Sequence, residues 1–218
     1  MDGASLWLGQ ARALLFDARG RDVSPTAIED LRSYLVESDG RFFEQLYDVH
    51  AANRFTASDL LAVTSLGVVV PPPVVMLLLE RTATATVASL LSTIDTDRCV
   101  EDLPPEDYEQ LLGERSAAWS LWDFLNVQPG IGPTIAGKLM AAKRPRLIPI
   151  SDFHVKDTLG ATDRDFWKCV WTVLADNQLR AALGAIRDAV PDAWNLSLLR
   201  VLDIVAWSAG TALMRSSL

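Results

Sequence analysis

The sequence predicts an all-α protein, and three observations carry that prediction. Apolar residues recur at helical spacing along most of the 218 residues. Strict alternation of apolar and polar residues nowhere persists long enough to make a strand. Ser, Thr and Pro stand at positions where helices begin, ahead of those apolar runs. Half of the residues are apolar, enough for a sizeable core without disulfides or metals. This length suits one compact unit of two lobes, expected over residues 1–100 (an N-terminal helical lobe) and 101–218.

The elements follow in chain order. Residues 5–18 read as a helix with Leu6, Leu8, Ala11, Leu14 and Leu15 inward. Ser24 and Pro25 form an N-cap followed by proline at the first helical position, opening a helix to about residue 37. A third helix is expected over 41–52. Thr56 and Asp59 have capping-box spacing, with Phe55 and Leu60 placed as a hydrophobic staple, and that helix should run to about residue 69. Another should start after Pro73. Residues 60–79 are apolar enough to suggest a membrane span, but Pro71, Pro72 and Pro73 remove three consecutive donors. Two buried core helices meeting at a proline corner are expected instead.

Residues 95–114 hold eight acids, one arginine and the Pro104–Pro105 break, the best candidate boundary between lobes and a solvated linker. Helices are then expected over 116–127, 133–143, from a Thr162 cap to 174, and over 178–190 and 192–212. Cys99 and Cys169 match neither a metal-ligand spacing nor a disulfide framework, so no metal or organic cofactor is implied. The start of the chain lacks a basic region followed by a long apolar run, and a reduced, cytoplasmic setting is the default expectation.

A net charge of −8 argues against unselective nucleic-acid binding. Between residues 129 and 156, however, Lys138, Lys143, Arg144, Arg146 and Lys156 face one acid, Asp152. That local +4 leaves −12 on the remainder. A basic patch on an acidic body is expected from this count.

The chemistry concentrates in Gln128-Pro129-Gly130-Ile131-Gly132-Pro133-Thr134-Ile135-Ala136-Gly137-Lys138-Leu139 and the later Ile148-Pro149-Ile150-Ser151-Asp152-Phe153-His154-Val155-Lys156. Two helices joined by a turn with alternate glycines make a hairpin that needs positive φ and little side-chain bulk. Its amides, including those of Gly132, Thr134 and Ile135, should stay open as an anion site reinforced by the helix dipole.

These residues resemble the helix-hairpin-helix DNA glycosylases. The likeness lies in Pro-Gly-Ile-Gly, in Ala136 four residues after Gly132, and in Asp152-x-x-Val155, with Asp152 22 positions beyond Gly130. It covers about thirty residues. The resemblance implies a two-lobed helical globule whose hairpin holds the backbone of duplex DNA through Gly130, Gly132, Thr134 and Ile135, with Lys138 and Lys156 as weaker contributors. It also implies a catalytic role for Asp152, stabilising the positively charged sugar as an N-glycosidic bond breaks and orienting the attacking water. Thr134 stands where the bifunctional members carry a nucleophilic lysine, so a monofunctional hydrolase is implied. The four-cysteine iron–sulfur motif of some members is absent.

Other readings of the same residues remain open. Asp152 could serve only as a helix cap through Val155. Trp119 and Trp122, at helical spacing, could line a base pocket by stacking or belong to the core. His154 could bond a substrate or lie idle at the surface, and His50 reads as structural. Trp167 and Trp171 read as core. Gly132 to Lys138 fits most of a nucleotide-binding loop, but Leu139 replaces the magnesium-binding hydroxyl and a helix precedes where a strand is needed. A catalytically silent DNA binder and a protein-interaction module remain the alternative functions.

Overall fold

The computed structural model describes residues 3–216, and the side chains of all of these except 81–84, 215 and 216. In chain order the helices are α1 (Gly3–Leu15), α2 (Pro25–Glu37), α3 (Phe43–Leu46), α4 (Ala57–Ser65), α5 (Pro72–Leu79), α6 (Arg81–Thr93) and α7 (Pro105–Leu112). They continue with α8 (Ala117–Asn126), α9 (Pro133–Lys143), α10 (Phe153–Leu159), α11 (Phe166–Ala175), α12 (Asn177–Asp188) and α13 (Leu198–Ser216). Among the described residues there is no strand, only a single antiparallel bridge between Phe16 and Val23. The protein is all-α. No helix of the described residues is long and apolar enough to cross a membrane.

Two compact units divide the chain, and neither is one continuous segment. The first takes residues 1–38, 100–102 and 151–218, and the second takes 39–99 and 103–150. The reason lies in packing. In the first unit α13 is the central helix, buried continuously from Val201 to Ala206, and it packs against α2, α10 and α12. Helices from both ends of the chain are therefore needed to cover one apolar element.

Local signals set several helix ends as expected. Ser24 Oγ accepts from Ala27 N, with Pro25 at the first helical position of α2. Ser116 Oγ accepts from Trp119 N at the start of α8. Asp59 accepts from Thr56 N at 2.7 Å, and Phe55 and Leu60 are both buried.

Other expectations require correction. In α1 the buried residues are Trp7, Ala11 and Leu15, whereas Leu6 is exposed. Trp7 takes the inward position because its indole Nε1 donates to Gly160 O at 3.2 Å. Residues 41–52 form only a 3-10 turn and the short α3, because Asp48 draws the amides of His50 and Ala51 into a turn. The helix from Ala57 ends at Ser65, where Gly67 turns left-handed (φ 77°). The helix after the prolines is only partly buried, since Met76 and Leu79 are exposed. The acidic stretch carries α7, with Tyr108 and Leu112 buried, instead of running as a bare linker. Asp165, not Thr162, precedes α11; its carboxylate accepts from Thr162 N. The last expected helix is a 3-10 turn followed by α13.

The second unit is built around α9. From Ala136 to Lys143 every residue is buried, as befits a helix covered on all faces, and α9 packs against α4 and α8.

Candidate functional site

The turn between α8 and α9 starts from a backbone requirement. Gly130 has φ +84°, and a Cβ there would come within 2.8 Å of Pro71 Cγ. Only glycine meets both conditions without strain. Gly132 differs from the expectation of positive φ: it is extended (φ −107°, ψ 178°), and a Cβ would meet nothing within 4 Å. Ile131 is buried and its amide donates to Gln128 O at 3.0 Å, which closes the turn.

Gly132 is the N-cap of α9 and brings no side chain to cap it. Ala136 N donates to Gly132 O, which begins the helical ladder. The amides of Gly132, Thr134 and Ile135 have no acceptor among the described residues. Pro133 contributes no donor. The result is a helix start with three amides uncommitted, in a stretch from Phe124 to Ser151 that contains no acid.

The expected basic patch is not at the surface. Lys138, Lys143 and Arg144 are all buried, and each caps backbone within the second unit. Lys138 Nζ donates to Leu66 O at 2.9 Å, at the C-terminal end of α4. Arg144 closes the end of α6: Nε donates to Ile94 O at 2.7 Å, and Nη2 donates to Leu91 O and, at 3.0 Å, to Asn53 Oδ1. Its Nη1 donates to Ala52 O and Lys143 O. Lys143 Nζ lies 2.5 Å from Asp59 Oδ2 and donates to Ala51 O and Asp48 O. Burial pulls the Lys143 ammonium below its usual range, opposed by Asp59 and Asp48. Burial acts the same way on Arg144, opposed by Asp95. Lys138, expected as a weaker phosphate contact, is buried with its ammonium on Leu66 O. Of the five basic residues counted in the sequence, Arg146 is exposed and Lys156 is half-buried in an ion pair with Asp163.

In the first unit Asp152 is the N-cap of α10. Its Oδ1 accepts from His154 N at 3.0 Å, so the capping bond goes to His154, not Val155. The carboxylate remains half-exposed. Position and packing of α10 depend on α13, where a Cβ at Gly210 would lie 2.8 Å from Thr158 Oγ1 and 2.9 Å from His154 Cβ. Thr158 Oγ1 also donates to Ala206 O at 3.0 Å. His154 is half-buried beneath this contact, its ring edge-on to Phe153 at 5.6 Å.

Trp119 and Trp122 stack face to face, with centroids 5.2 Å apart and planes inclined by 14°. Both are half-buried. The structure thus gathers Trp119, Trp122, Gly130, Gly132, Thr134, Ile135 and Lys138 in the second unit, and Asp152, His154 and Lys156 in the first. Phe153, the first residue of α10, is 61% exposed.

Residues 27–210 match the model of DUF6308, described as a family of unknown function. The chain belongs to that family. No curated protein and no solved structure matches it.

Proposed function

We propose that the α8–turn–α9 segment is a helix-hairpin-helix that holds a DNA backbone phosphate, in a monofunctional N-glycosylase of damaged or modified bases. The observation that supports this most is the set of three uncommitted amides at Gly132, Thr134 and Ile135, set after a glycine turn in an acid-free stretch. Amides on a helix start bind an anion without any basic side chain, as a chain of net charge −8 with buried lysines would require.

Asp152 is the proposed catalytic residue. An N-glycosidic bond breaks with positive charge growing on the sugar, and a fixed carboxylate stabilises that charge. The same carboxylate can orient or deprotonate the incoming water. Thr134 supplies no amine, so no Schiff base forms in this scheme. His154, in the same unit as Asp152, is the candidate contact to the base; Trp119 and Trp122 are candidate stacking residues of the other unit.

A second reading is favoured by one bond. Asp152 accepts from His154 N, a cap that a catalytically silent DNA binder would also need. Affinity for a duplex carrying a cationic abasic-site analogue, against the unmodified duplex, separates the two. A working glycosylase binds the analogue selectively, and Asp152→Asn removes the selectivity while keeping the cap. A silent binder takes both duplexes equally and loses affinity with salt. Absence of binding to either defeats both readings.

A further inference from the structure

An open cavity of about 1050 Å³ lies in the first unit, between the end of α1, the loop that follows it, the start of α2 and the last turns of α13. Leu14, Phe16, Ala209 and Leu213 give it apolar walls. Two carboxylates, Asp17 and Asp30, also line it.

The two acids differ from each other. Asp17 is fixed in its loop by the amides of Arg19, Arg21 and Asp22, and the Arg21 bond foremost holds it below the usual carboxylate range. Asp30 forms no side-chain hydrogen bond or ion pair among the described residues, and burial, aided by Glu29, pushes its carboxyl up. The cation among the described lining residues is Arg12, but its guanidinium is turned to Asp176 at 2.8 Å and to Gln178. The cavity therefore pairs apolar walls with a carboxylate, Asp30, that no described lining side chain pairs. A partly buried carboxylate left in that condition costs stability, and a ligand cation would relieve the cost.

We infer that this cavity binds an organic cation, a protonated amine or guanidinium carried on an apolar body, with Asp30 as its counter-ion and the walls on α1 and α13 holding the body. Its volume is of the order of small-molecule sites, which run to about 1000 Å³. A purely apolar ligand would leave Asp30 desolvated and unpaired, and an anion would meet two carboxylates. The site is independent of the α8–α9 turn and of Asp152.

Amide chemical shifts of the full chain, titrated with hexylammonium, hexylguanidinium and 1-hexanol, test the assignment. The two cations should move the amides of Asp17, Thr26, Asp30 and Ala212 saturably. Hexanol should bind about tenfold more weakly, the loss expected when a charge-assisted hydrogen bond is removed. Asp30→Asn should weaken the cations by about the same factor without changing hexanol, and its otherwise unaltered spectrum would show that the fold is intact. Asp30→Glu should restore most of the affinity. A preference between ammonium and guanidinium would identify the head group. Equal affinity for hexanol and the cations, equal affinity in Asp30→Asn, or no shift at these amides would each overturn the inference.

Discussion

Asp59 and Asp152 both stand at the start of a helix, one in each unit, and their surroundings differ completely. Asp59 is fully buried and accepts from Thr56 N, Thr56 Oγ1 and Asp48 N while pairing with Lys143. Asp152 is half-exposed, and its capping bond goes to His154 N. A carboxylate enclosed in this way organises a loop and has no capacity left for a ligand. Asp152 caps its helix from a half-exposed position. Sequence places both acids at helix starts, Asp59 at the third helical position of a capping box and Asp152 as an N-cap; burial separates them further.

The largest effect should come from the enclosed acid. Asp59→Ala strands the buried Lys143 ammonium, and stability should fall by about 3–5 kcal/mol in denaturant unfolding. Replacing both partners, as Asp59→Leu with Lys143→Met, should lose much less, because the uncompensated charge is gone. A double variant as damaged as Asp59→Ala would mean that the amide bonds, not the ion pair, carry the effect.

The two turn glycines sharpen the comparison between a residue required by backbone and one that is not. Gly130→Ala meets both a left-handed φ and Pro71, and should cost about 1–3 kcal/mol. Gly132→Ala meets neither and should stay within about 0.5 kcal/mol. Equal losses would show that the glycine pair acts as a unit.

Asp152→Ala should cost about 1 kcal/mol through the lost cap, whereas Asp152→Asn keeps the cap and should be nearly neutral. That contrast isolates the carboxylate's charge from its structural bond before any assay of function. The smallest shift is expected at Asp30. Its folded-state carboxyl is raised, so its ionised form destabilises the fold at neutral pH, and the penalty is relieved as pH falls through that raised value. Asp30→Asn should therefore raise the melting temperature slightly at pH 7, by less than about 1 kcal/mol equivalent, with the gain vanishing in acid.

What the sequence revealed was local. Ser24-Pro25, Ser116 and Pro133 mark helix starts through bonds made within a few residues, and the structure places α2, α8 and α9 where those signals stand. What it concealed was bonding across long separations. Residues 41–52 look helical by pattern, yet carbonyls at Asp48, Ala51 and Ala52 accept from Lys143 and Arg144 far along the chain. The same bonds explain the misread basic patch. Counting charges between residues 129 and 156 registers sign but not burial, and three of those cations face inward to cap helix ends and loops. The candidate turn was legible because its geometry depends on Gly130 itself. Its partner Pro71 was not, since a glycine does not announce what crowds it.

The central claim is that the amides of Gly132, Thr134 and Ile135 hold a backbone phosphate. Their amide resonances, followed while duplex DNA is added at two salt concentrations, test it most directly. The account predicts that these three move together, saturably, and with an affinity that falls as salt rises. Binding that leaves all three unmoved while other amides shift, or no response to DNA at all, would contradict it.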